Sequence, residues 1–72
     1  MENKHGIKIT DRDRVLRAWQ NSMEAVRDFE TFSSEVDDRE LSSVFAGFAE
    51  EECVHAARFL EILHDFENNV KG

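Results

Sequence analysis

The stretch that decides the fold is residues 33–40, SSEVDDRE, which lies between two long runs of helical periodicity. Its small and acidic side chains hydrogen-bond readily to nearby backbone, so they favour a turn over a continuing helix. Asp37 or Asp38 suits the N-cap of a following helix, and Glu40 places negative charge in its first turn. The stretch therefore predicts one helix on each side of a short turn.

The run before the turn has the pattern of a capped, amphipathic helix. Thr10 followed by Asp13 has the spacing of an N-cap with an acidic residue in the first turn. We predict a first helix that starts at Thr10 and ends near Ser34 or Glu35. Its apolar residues recur with a helical period over a broad arc: Val15, Leu16, Ala18, Trp19, Met23, Val26, Phe29, Phe32 and Val36.

The run after the turn predicts a second helix from residue 39 to about residue 68. The chain contains no proline, and Gly47 lies off the apolar face, so nothing ends this helix early. Two long helices joined by a short turn are expected to lie antiparallel. The apolar residues of the second helix that share one face are Leu41, Phe45, Phe48, Phe59, Ile62, Leu63 and Phe66.

Both apolar arcs are wider than the contact between two helices requires, so a lone hairpin would expose large apolar side chains. A 72-residue chain with one cysteine has no disulfide or zinc motif to stabilise it, which favours self-association. We therefore predict an all-α fold, an antiparallel two-helix hairpin that dimerises into a four-helix bundle. Residues 10–70 form the hairpin in this prediction, and residues 1–9 form a flexible N-terminal arm.

Charge and hydropathy exclude several classes of partner. The net charge is −7, with 16 acidic and 9 scattered basic residues, so we expect no nucleic-acid partner. No apolar run approaches the roughly 20 residues of a membrane span, and the polar start does not resemble a secretory signal. We expect a cytoplasmic protein with no membrane partner.

Glu52 and His55 interrupt the apolar arc of the second helix. Burying an unpaired carboxylate there would cost several kcal/mol, so the pattern predicts a partner for it. Residues three apart lie on one helical face, and a carboxylate with an imidazole suits iron, manganese or zinc. The alternative is a buried pair that hydrogen-bonds internally, to Ser22 or Ser33, or to an arginine.

Residues 38–45, DRELSSVF, and 48–56, FAEEECVHA, resemble the second helix of the ferritin-like di-iron carboxylate proteins, particularly rubrerythrins. The short chain also resembles the encapsulated ferritins, in which a two-helix chain dimerises to complete the bundle. The resemblance covers residues 15–66 and is strongest over 38–60. It implies a di-iron site with Glu52 and His55 as ligands, and ferroxidase or iron- and peroxide-handling oxidoreductase activity. Implied partners are a homodimer or larger homo-oligomer, an electron donor, and a shell protein whose compartment would house it.

The family also requires a glutamate from the first helix, and here the sequence departs from the pattern. Counting back from the turn places positions 19–23 opposite the pair, and these contain no carboxylate. Glu24 has about the right height, meaning its position along the helix axis relative to Glu52, but it lies on the polar side of the first helix. Glu30 shares the apolar arc but lies roughly 10 Å too near the turn. Glu24 is preferred, because the hairpin fixes its height relative to Glu52, whereas the rotation of a helix about its axis is not fixed. If neither acid binds, two symmetry-related Glu52/His55 pairs could still hold an ion at the two-fold axis. A non-catalytic dimerisation or adaptor module with a degenerate metal site is the second hypothesis.

Overall fold

The computed structural model describes the backbone of residues 9–71 and the side chains of residues 9–68. These residues form two helices, α1 over Asp11–Glu35 and α2 over Arg39–Lys71, and no strand. The all-α prediction is confirmed, and both helices begin and end within a few residues of the predicted positions. The predicted N-terminal arm lies outside the described residues except for Ile9.

A capping box starts α1. The Thr10 hydroxyl accepts a hydrogen bond from the Asp13 backbone N–H at 3.1 Å, and the Asp13 carboxylate accepts one from the Thr10 N–H at 3.0 Å. These hydrogen bonds, the backbone one foremost, hold the pKa of Asp13 below its ordinary value because they favour the charged carboxylate. The local sequence pattern thus fixes where the helix begins.

Residues 36–38 connect the two helices. Val36 adopts an extended conformation, with φ −79° and ψ 148°, and its N–H donates to the Phe32 carbonyl at 3.0 Å, which ends α1. The Asp38 carboxylate accepts the Glu40 N–H at 3.0 Å, so Asp38 rather than Asp37 caps α2.

Contacts between the helices extend along their whole described length. Next to the connection, the Ser33 hydroxyl donates to the Ser42 carbonyl at 2.9 Å and the Ser42 hydroxyl donates to the Ser33 carbonyl at 2.7 Å. Further along, the Phe29 ring lies 5.6 Å from that of Phe48, between centroids. At the far end, the Arg12 guanidinium lies 3.9 Å from the Glu67 carboxylate.

Small side chains line the seam where the helices meet. Ser22 and Val26 of α1 are buried against α2, which contributes Ala49, Ala56 and Leu63 at seven-residue intervals. Such spacing keeps one narrow stripe facing the partner helix. No side chain within residues 9–68 is fully buried, and the Cα trace is only 13 Å thick along its shortest axis. The fold is a single layer of helices with a narrow core.

Candidate metal site

Glu52 and His55 lie one turn apart on α2 and contact each other. The distance between His55 Nδ1 and Glu52 Oε1 is 3.4 Å, at the long end of the range for a hydrogen bond. His55 is the donor or the acceptor according to its tautomer, and the contact is an ion pair only when the imidazole is protonated. The predicted pair is therefore preformed in a single chain.

The two side chains differ in exposure. Glu52 is 27% exposed and lies between Ala49 and Ala56 in the sequence, beside the buried seam. His55 is 58% exposed and lies seven residues after Phe48, two turns along the same face. The pair is not buried in one chain, so neither side chain needs a buried partner there.

His55 continues a stripe of exposed apolar side chains that we call the open face. It consists of Phe32 on α1 with three residues of α2, Leu41, Val44 and Phe48, each between 42% and 45% exposed. Phe29 packs against both Phe45 and Phe48, and Phe32 packs against Phe45, so the four rings form one cluster. Phe32 and Phe48 therefore lie on the same side of the molecule. An exposed cluster of large apolar residues with polar donors at its edge is typical of an interaction surface.

The register between the helices determines which residue of α1 faces Glu52. Phe29 packs on Phe48. Ala25 and Glu52 lie one turn, or four residues, further from the connection than Phe29 and Phe48. Ser22 and His55 lie two turns, or seven residues, further than Phe29 and Phe48. Opposite the pair, α1 therefore presents a methyl group and a hydroxyl.

Glu24, the preferred first-helix ligand, is exposed and lines a shallow recess formed by residues of α1 alone. Its neighbours there include Arg17, Trp19 and Arg27. No residue of α2 within the described chain lines this recess. Rotation of α1 would be needed to bring Glu24 to Glu52.

Glu30, the other candidate, lines a different recess with Glu50 and Cys53 of α2. Phe29, its neighbour in sequence, packs towards the open face, so Glu30 lies on the other side of the seam. Cys53 is an exposed free thiol. The structure thus places Glu24, Glu30 and the Glu52/His55 pair at three separate locations.

Sequence reasoning overlooked a second Glu-x-x-His spacing on α2, Glu61 with His64. The Glu61 carboxylate forms an ion pair with Arg58 at 3.0 Å, and both Glu61 and His64 are exposed. Counting turns from Phe48 places them away from the open face. The Glu-x-x-His spacing does not distinguish the two pairs, but the open face does, because only Glu52 and His55 adjoin it.

Among residues 9–68, no group of three or more histidine, cysteine, aspartate or glutamate side chains is arranged to hold a metal ion. Within residues 9–68, the Glu52 carboxylate and the His55 imidazole are thus the two donors at the end of the open face, and neither Glu24 nor Glu30 lies beside them. The described part of the chain also has no helix that is long and apolar enough to cross a membrane.

Comparison with known proteins gives no relative. No protein-family model matches the chain, and no curated protein or solved structure matches it significantly.

Proposed function

We propose that the chain is an antiparallel two-helix hairpin that pairs with a second copy into a ferritin-like four-helix bundle, and that Glu52 and His55 bind iron at the interface. The position of His55 at the end of the open face carries this proposal. Covering Phe32, Val44 and Phe48 with a second copy would also bring a second Glu52/His55 pair towards the first.

The contacts between the helices support the hairpin. Ser33 contacts Ser42 beside the connection, and Arg12 contacts Glu67 at the opposite end, as expected for two helices that run in opposite directions. A two-fold axis is the simplest arrangement that buries the same apolar surface on both copies. The narrow core of one hairpin gives the chain a thermodynamic reason to dimerise.

Ferrous iron is the metal we favour, with manganese and zinc as alternatives. A carboxylate and an imidazole are ligands that all three accept. By its resemblance to the ferritin-like proteins, the dimer would handle iron as a ferroxidase or as an iron- or peroxide-dependent oxidoreductase. An electron donor and a shell protein are its proposed partners in that role.

A second function follows from the α1 side of the site. Because Ala25 and Ser22 face the pair, the proposed dimer has no first-helix carboxylate beside Glu52 and His55, where the resemblance to a ferritin-like di-iron site implies one. A non-catalytic dimerisation or adaptor module would need the open face and no metal. The two functions share the dimer and differ only in what Glu52 and His55 do.

The deciding experiment loads anaerobic protein with ferrous iron, measures bound metal after desalting, and then follows oxidation after exposure to air. We expect bound iron that oxidises, and loss of both in the Glu52→Ala/His55→Ala variant. The Glu61→Ala/His64→Ala variant is the matched control, since it removes the same residue types at the same spacing. Equal iron binding by wild type and both variants would contradict the metal function and leave the dimerisation module.

A further inference from the structure

We propose that Ala25 limits the interface to one metal ion shared by two copies of the chain, an inference that rests on the proposed function. Ala25 lies one turn beyond Phe29, and Glu52 lies one turn beyond the Phe48 ring on which Phe29 packs. The α1 residue nearest in height to the Glu52 carboxylate therefore ends in a methyl group, which cannot bind a metal.

The donors in the described part of one chain are too few for a complete site. Glu52 Oε1 and His55 Nδ1 lie 3.4 Å apart, and no third histidine, cysteine or acidic side chain among residues 9–68 joins them. A second copy doubles the set to two carboxylates and two imidazoles. With terminal carboxylates, four such donors fill the tetrahedral shell of one divalent ion such as Zn²⁺, whereas two ions would each receive at most three protein ligands, and only if both carboxylates bridged them.

The acidic residues Glu24 and Glu30 of α1 do not add further metal ligands to this set. Glu24 is in a recess bounded by α1 alone, and Glu30 is beside Cys53 across the seam. The ligand is thus a single divalent first-row cation such as Fe²⁺ or Zn²⁺, and its binding is coupled to dimerisation.

The test is the ratio of metal to chain. Anaerobic protein is titrated with Fe²⁺, and separately with Zn²⁺, at concentrations where sedimentation velocity shows a dimer; bound metal is measured after desalting. We expect wild type to saturate at one ion per two chains. Ala25→Glu should raise this to two ions per two chains, because it supplies a carboxylate from α1 in each copy.

Ala18→Glu is the matched control. Ala18 lies seven residues before Ala25 on the same side of α1, roughly 10 Å further along the axis, so its carboxylate should leave the ratio at one per two. If Ala25→Glu does not fold or dimerise, Ala25→Asp repeats the test with a shorter acid. The wild-type ratio is informative whatever the variants do.

Two results would overturn the proposal, and they differ in what they leave standing. Two ions per wild-type dimer, both lost on Glu52→Ala/His55→Ala, would show that Ala25 imposes no limit and would leave the proposed iron function intact. A wild-type dimer that binds neither metal would remove both the shared ion and the proposed iron function.

Discussion

The Phe29 and Phe48 rings pack at 5.6 Å between centroids with a 57° tilt, and this contact sets the register of the two helices. From it follows the juxtaposition of Ala25 with Glu52. The same contact orients Phe48 towards the open face, where 44% of it remains exposed. One aromatic pair thus relates the core to both the proposed interface and the proposed metal site.

Val44 and Val54 provide a direct test of the open face. Both are exposed valines of α2, at 45% and 67%, but only Val44 lies beside Leu41 and Phe48. Val44→Glu would place a charge in the proposed interface, where its desolvation is unfavourable, so we expect a monomer. Val54→Glu should remain dimeric. Sedimentation velocity over a range of concentrations measures both, and equal dimerisation of the two variants would contradict this interface.

The seam should be sensitive to enlargement at Ala56. This residue is 4% exposed, and adding methylenes to a packed position costs about 1–3 kcal/mol. We expect Ala56→Leu to lower the free energy of unfolding in urea by that amount. Ala57→Leu, the same change at the adjacent exposed residue, should stay within about 0.5 kcal/mol of wild type.

All urea experiments are compared at one protein concentration, because dimer stability depends on it. If Ala57→Leu destabilised the chain as much as Ala56→Leu, the seam would not run through Ala49, Ala56 and Leu63.

The paired serines beside the connection should stabilise the contact between α1 and α2 through hydrogen bonds. Ser42→Ala removes the 2.7 Å bond from the Ser42 hydroxyl to the Ser33 carbonyl, which should cost about 0.5–1.5 kcal/mol. Ser43→Ala, at an exposed position, reports the gain in helix propensity that both changes share. Thermal unfolding of the two variants gives the difference, and no difference between them would mean that the bond adds nothing.

The capping box should make stability depend on acid pH. The pKa of Asp13 is lower in the folded chain than its ordinary value of 3.8, because its carboxylate accepts the Thr10 N–H. Its contribution is therefore complete above the unfolded pKa and is lost as the pH falls through the folded pKa. Asp13→Asn keeps an acceptor without a titrating charge.

We expect wild type to exceed Asp13→Asn in unfolding temperature most at neutral pH, and the difference to shrink below pH 3.8. Unfolding followed by circular dichroism from pH 7 into this acid range measures it. A difference that is constant across the range would show that Asp13 does not contribute through its charge.

The helices and their caps could be predicted because their signals are local. Thr10 and Asp13 are three residues apart, and residues 36–38 lie within one turn of the helices they separate, so neighbouring residues contain the information. The all-helical fold follows from the same short-range pattern.

The register could be predicted only to within about two residues, because its exact value depends on contacts between distant residues. Counting from the turn places positions 19–23 opposite the pair; this range includes Ser22 but stops short of Ala25, which the packing of Phe29 on Phe48 brings level with Glu52. The pattern also could not show that Ala49 and Ala56 would occupy the seam while Phe48 stayed partly exposed. Small residues let helices approach closely, and only the packed structure reveals where that happens.

We propose that two copies of the chain hold a metal ion between their Glu52/His55 pairs. Crystals grown from iron-loaded protein, measured on both sides of the iron absorption edge, would locate that ion. We predict an anomalous peak on a two-fold axis within coordination distance of Glu52 and His55 from both copies. A dimer with no peak there, in which Glu52 and His55 contact only protein or water, would contradict the claim.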